Sequence, residues 1–127
     1  MKTPAPHSIR IEVTAEFIAA QSNPGEDCYV FAYHVIIRNT GTVAARLISR
    51  HWVITDGEGR VREAHGLGVV GEQPRLVPGE VFHYSSGCVL DTPVGTMQGD
   101  YLMETDDGEK FETEIPAFML ATPGALH

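Results

Sequence analysis

Hydrophobic residues alternate with polar ones along this chain, and short breakers interrupt the alternation at nearly regular intervals. From Ile9 onward Ile11, Val13, Ala15 and Phe17 are apolar, while Arg10, Glu12, Thr14 and Glu16 between them are polar. A period of two places those sets on opposite faces of an extended strand, one buried and one wet. The segment Ala15–Gln21 is the best helical candidate, and continued strand is the better reading. The run Ser22-Asn23-Pro24-Gly25-Glu26-Asp27 then forces a turn. Cys28–Asn39 follows, with Phe31, Tyr33, Val35 and Ile37 on one face and Val30, Ala32, His34 and Ile36 on the other, a pattern expected for a central, covered strand.

The same grammar continues to the end. Asn39-Thr40-Gly41 closes the second strand, and a third runs from Ala44 to Asp56. Ile48, Trp52 and Ile54 there share parity with Arg46 and Arg50, so a bulge or edge register is expected within it. Asp56-Gly57-Glu58-Gly59 is a turn signal. Further strands are predicted over 60–64, 81–88, 95–105 and 110–117, with Asp106-Asp107-Gly108 as a hairpin turn before the last. Seven or eight strands with turns about every 8–12 residues point to an all-β antiparallel sandwich of the immunoglobulin or fibronectin-III kind. Gly99-Asp100-Tyr101 adds to this. Immunoglobulin-like sandwiches place a tyrosine near that strand start, with its hydroxyl bonded to the backbone. The cysteine expected two residues later in immunoglobulins is Met103 here, which favours the fibronectin-III variant.

The 127 residues fit one domain, with a core from about 8 to 120 and frayed tails at 1–7 and 122–127. Nine Lys and Arg against 17 Asp and Glu leave a net charge of −8, which repels a phosphate backbone, so nucleic-acid binding is not expected. Cys28 and Cys88 lack the spacing of a zinc knuckle or a redox pair and are expected as two reduced, buried thiols, with one long-range disulfide as the alternative. The start, Met1-Lys2-Thr3-Pro4-Ala5-Pro6, has no apolar leader, and the longest aliphatic run is Val35-Ile36-Ile37. A cytoplasmic protein with no membrane contact is expected.

Gly66, Gly68 and Gly71 match G-x-G-x-x-G. A dinucleotide site needs a helix after that loop, and Pro74, Pro78 and Gly79 forbid one. What remains is an anion nest of loop amides assisted by Arg62, His65 and Arg75. Taken singly, His34, His51, His65 and His83 offer no metal-ligand spacing. His34 reads as a core histidine on an apolar strand, and His51 and His83 read as surface residues, so no metal site is expected. The acidic residues from Glu104 to Glu114 read as a solvated hairpin. Ser85 and Ser86 near His83 lack both a nucleophile elbow and an orienting carboxylate, Cys88 lacks a basic activator, and no enzyme activity or cofactor is expected. Aromatic side chains beyond those the core absorbs are candidate partner anchors, with Trp52 assigned to the core.

Gly66-Leu67-Gly68-Val69-Val70-Gly71-Glu72-Gln73-Pro74, then Leu76-Val77-Pro78-Gly79-Glu80 and Phe82-His83-Tyr84-Ser85-Ser86-Gly87, resemble the ApaG family, as do His51-Trp52 before Asp56-Gly57 and Gly99-Asp100-Tyr101. The resemblance covers about residues 8 to 120 and implies a fibronectin-III-like sandwich. The family's gene commonly neighbours a dinucleoside tetraphosphate hydrolase and a ribosomal RNA methyltransferase, and the family is linked with cobalt resistance and magnesium efflux. Similar domains in F-box proteins and in a polymerase-interacting protein look like interaction modules. The resulting expectation is a binding module with a protein partner. Beside it stand a phosphate-containing small ligand at the glycine loop, divalent-metal handling, and a homodimer through an edge strand.

Overall fold

The computed structural model describes residues 5–125. Eight strands alternate with short connections: β1 (Ile9–Phe17), β2 (Tyr29–Asn39), β3 (Ala45–Asp56), β4 (Val61–Leu67), β5 (Arg75–Leu76), β6 (Val81–Leu90), β7 (Val94–Thr105) and β8 (Lys110–Ala121). Two single-turn 3-10 segments, Ala19–Gln21 and Pro24–Glu26, lie between β1 and β2. Of the segment Ala15–Gln21, expected as continued strand, only Ala15–Phe17 is strand, and Ala19–Gln21 is a 3-10 turn.

One sheet has the order β1-β2-β6 and the other β4-β3-β7-β8, with β5 pairing β3 beyond the end of β4. Every pairing is antiparallel. The two sheets face each other as a fibronectin-III-like sandwich. Their inner faces meet in a core of Phe31, Tyr33, Val35 and Ile37 from β2, Trp52 and Ile54 from β3, Tyr84 and Leu90 from β6, Met97, Tyr101 and Met103 from β7, and Ile115 and Leu120 from β8. Trp52 sits among Tyr33, Tyr101 and Phe118 in edge-on contacts at ring-centroid distances of 5.4, 6.5 and 5.8 Å.

The expected irregularity in β3 is a bulge between Leu47 and Ser49. It explains the mixed parity of that strand: Ala45 and Leu47 point inward before it, Trp52 and Ile54 after it. A second register shift, between Met97 and Gly99, breaks the pairing of β7 with β8 beside Pro116. Gly99 lies against β3 so closely that a Cβ there would overlap the carbonyl of His51.

Several local expectations are corrected. His34 is no core histidine. It lies on the outer face of β2, where Ser85 Oγ approaches Nδ1 at 2.6 Å and Glu16 approaches Nε2 at 3.3 Å. Ser85 therefore partners His34 and not His83. Tyr101 is fully buried, but its hydroxyl meets the hydroxyl of Tyr84 across the sandwich in place of a backbone group. The bridge between sheets works because each phenol satisfies the other where no water reaches. His7, assigned to a frayed tail, stacks on Phe111 at 4.5 Å, and Thr122 donates to the Pro93 carbonyl at 3.0 Å. The rest of the tail assignment, residues 1–4 and 126–127, lies outside the described residues. Cys28 and Cys88 are free thiols, the second buried, with desolvation raising its pKa. No helix among the described residues is long and apolar enough to cross a membrane.

Candidate functional site

The Asp56–Gly59 turn sends β4 back along β3. Asp56 organises it: its carboxylate accepts from the Glu58 and Arg60 amides at 2.8 and 3.0 Å and from Arg60 Nε at 2.7 Å. The register that follows pairs Val53 with Glu63 and His51 with His65. On the other side of β3, His51 pairs with Asp100, and Asp100 pairs with Glu114 on β8. Side chains opposite each other across antiparallel strands share a face. A row, His65–His51–Asp100–Glu114, therefore crosses the outer face of the sheet, with Glu63 two positions from His65 on β4.

His51 is the centre of this row. Its Nε2 lies 2.7 Å from Glu63 Oε1 and its Nδ1 lies 3.2 Å from Asp100 Oδ2. The hydrogen bond to Glu63, then that to Asp100, raises the imidazole pKa above its ordinary value. Two carboxylate acceptors, one at each ring nitrogen, suit an imidazolium, which has two N–H donors and no acceptor. The His65 ring stacks on His51 with centroids 4.3 Å apart and planes 11° apart. One donor atom each from His51, Glu63 and His65 all lie within 4.8 Å of one another. Ligand atoms around a tetrahedral ion stand roughly 3–3.5 Å apart, so holding an ion would require the two stacked rings to tilt until their in-plane lone pairs converge. Asp100 would then hold Nδ1–H and leave Nε2 free to ligate, the role outer carboxylates commonly take behind metal-bound histidines.

Sequence spacing treated the histidines one at a time and so found no ligand set. The signal lay in the hairpin: a turn centred on Glu58 pairs residues whose numbers sum to 116, which joins His51 to His65 and places Glu63 on the same face.

The six residues of the expected anion site are spread out. His65 and Gly66 lie in the last part of β4, which ends at Leu67, and Gly68 follows it. The guanidinium of Arg62 donates to the Val89 carbonyl on β6. Arg75 is bidentate on Asp106, at 2.9 and 2.6 Å. Along β3, Arg75 pairs at Arg46 and Arg62 at Ile54, eight residues or about 26 Å apart. Within the loop, the Gly68 amide donates to Ile48 O at 2.8 Å, Val69 to Glu72 O at 2.8 Å and Glu72 to Val69 O at 2.9 Å. The carbonyls of Leu67 and Gly68 accept from Arg50 Nη1 at 3.1 and 2.8 Å. Gly68 and Gly71 both have positive φ, and a Cβ on Gly68 would overlap the Glu72 carbonyl. The glycines thus build a tight hairpin tip, with Gly71 and the strained Val70 (φ 43°) at its apex.

The expectation of exposed aromatic anchors also changes. Among the described residues the large apolar side chains left in solvent are aliphatic apart from Met119, and Leu67 (75% exposed) and Val61 (61%), at the two ends of β4, lead them.

Comparison with known proteins agrees with this architecture. A family model described as the ApaG domain matches residues 19–105. "Protein ApaG" of Azoarcus sp. strain BH72 is 65% identical over 121 residues, covering 95% of each chain. Its counterpart from Bordetella pertussis is 53% identical over 122 residues, 96% of this chain and 93% of that one. A crystal structure of an ApaA protein from Bordetella pertussis superposes with a TM-score of 0.93 at 52% identity, covering 96% of this chain and 99% of that one. A protein from Archaeoglobus fulgidus shares the fold alone, at a TM-score of 0.52 and 11% identity. With the matched domain spanning most of the sandwich and relatives matching from end to end, this chain belongs to the ApaG domain family.

Proposed function

We propose that this chain is a binding module rather than an enzyme, and that it binds a late first-row divalent cation through His51, Glu63 and His65. The carrying observation is the convergence of these three donors within 4.8 Å, with Asp100 behind His51. Two imidazoles and one carboxylate suit Co²⁺, Ni²⁺, Cu²⁺ or Zn²⁺ and are poor ligands for Mg²⁺, which prefers oxygen. The proton on His51 Nε2 has to leave before the ion enters, so uptake releases a proton and strengthens as pH rises.

Titration with Co²⁺, followed by its visible absorption and by calorimetry, tests the reading. One ion per chain is expected, with His65→Ala weakening binding at least about tenfold and Asp100→Asn weakening it about 10–100-fold. Mg²⁺ in excess is expected not to compete. Equal affinity in wild type and His65→Ala overturns the assignment.

A second reading, docking of a protein strand, is supported by the exposure of Val61 and Leu67 on a sheet edge. Edge strands carry unpaired amides and carbonyls that accept a further strand.

A further inference from the structure

The two ends of the larger sheet are not equivalent. At β8 the edge carries Pro116, which has no amide to donate, and the register shift opposite it. Strand β1 also packs against β8, and His7 stacks on Phe111 there. Proline, irregular register and cover are the devices that blunt an edge. At the opposite end β4 is a regular seven-residue strand without proline, exposed along nearly its whole length.

The side chains of β4 are complementary to themselves. On its outer face, in order, stand Val61, Glu63, His65 and Leu67; on the other, Arg62, Ala64 and Gly66. Antiparallel pairing of two copies about a two-fold axis at Ala64 sets Val61 against the partner's Leu67 and Glu63 against the partner's His65. Arg62, held by the Val89 carbonyl, then lies opposite the partner's Gly66, which the Arg50 guanidinium covers, so this face of β4 adds nothing to the pairing and the register is chosen by the outer face. Moving the axis one residue either way sets Glu63 against Glu63 or His65 against His65, and the apolar ends no longer meet. Opposed like charges destabilise a strand pair, while apolar and opposite-charge pairs stabilise it. An isologous contact of this kind is self-consistent, since each residue meets its complement twice.

We propose that two copies of this chain pair along β4 about Ala64, and that the partner's Glu63 completes the cation site of this chain. This rests on the cation reading above. His51, Glu63 and His65 supply three ligands and leave a fourth position open. The partner's Glu63, directly opposite His65, lies beside that position. Each Glu63 has two carboxylate oxygens, one for the ion on its own chain and one for the ion across the axis. The ion bridges the pair, and pairing in turn tightens the site.

Sedimentation velocity of the full chain, with and without Co²⁺, tests this. The expected result is a monomer–dimer equilibrium whose dissociation constant falls at least about tenfold when Co²⁺ saturates the site, since an ion preferring the dimer shifts it by mass action. Val61→Lys is expected to abolish the dimer. Mixing it with Leu67→Glu is expected to restore a one-to-one heterodimer, because the new ammonium and the new carboxylate face each other in this register. Mixing it with Val61→Glu is expected to restore nothing. Rescue by Val61→Glu overturns the register. A chain that takes up Co²⁺ and stays monomeric overturns the pairing while the cation reading stands. A dimer of the stated register that takes up no Co²⁺ overturns the shared ligand together with the cation reading.

Discussion

Trp52 holds the centre of the core with an unmet requirement. Its indole Nε1 is buried and has no hydrogen-bond partner. A buried donor without an acceptor costs about 1–3 kcal/mol, and large-to-small substitution of a core aromatic costs about 3–5 kcal/mol. Trp52→Phe keeps a ring in place and removes the orphan donor, so its cost is expected to stay under about 2 kcal/mol, against about 3–5 kcal/mol for Trp52→Ala. Denaturant unfolding of both variants checks the gap. Val70 poses a backbone problem. A β-branched residue at φ 43°, followed by Gly71 at φ 82°, occupies a two-residue turn of the kind that prefers Asn-Gly. Val70→Asn is expected to raise stability by about 0.5–1 kcal/mol, read as a higher denaturation midpoint. Both features were hidden in the sequence. Trp52 reads as core from its neighbours, but whether an acceptor reaches its nitrogen depends on the opposite sheet. The loop glycines announce a turn, and only the bridge between Val69 and Glu72 shows which two residues stand at its tip.

At the scale of elements, one buried link between the two sheets is the phenol pair Tyr84–Tyr101, on β6 and β7. Burial pushes Tyr84 up to about 12 and raises Tyr101 as well. In an unfolded chain both phenols ionise near 10. The folded chain thus keeps its protons to higher pH than the unfolded chain. The resulting stability is fully present below about pH 10 and is lost as pH rises from there through about 12. Unfolding midpoints measured from pH 8 to 12 are expected to fall steeply in the wild type and less so in the Tyr84→Phe, Tyr101→Phe double variant. The β3–β7 pair rests on Gly99, where a methyl group has no space beside His51. Gly99→Ala is expected to cost more than about 2 kcal/mol, in the range for overpacking a tight site. Because Gly99 neighbours Asp100, the same change should also displace the carboxylate that orients His51. Strand positions and turns were largely legible, since alternation and breakers are local signals. The ligand set His51, Glu63 and His65 was readable only once the register of the β3–β4 hairpin was drawn, and Asp100 behind His51 was not readable at all, because it arrives by a long-range pairing that no local pattern fixes.

For the whole molecule, the reading as an all-β sandwich followed from spacing alone, and the strand order needed the structure. The pairs β2–β6 and β3–β7 join segments about fifty residues apart, so their entropy of closure has to be met before they are rewarded. Folding in the range of milliseconds to seconds is expected, as for other sandwiches rich in non-local pairs, and stopped-flow refolding measures it. The acidic surface, at net −8, keeps unrelated contacts weak and leaves shape and local complementarity to select partners.

Pro116 stands at the far side of the sheet from β4, and it governs how far assembly can go. A sheet with two live edges grows by adding copies at both ends, and its product is a filament. With one edge blunted, pairing at the other uses up the only growing end, and association stops at two. Replacing Pro116 by a strand-forming residue such as valine restores a donor to the second edge. With the register shift and the cover from β1 still in place, particles larger than the dimer are expected to appear only as concentration rises.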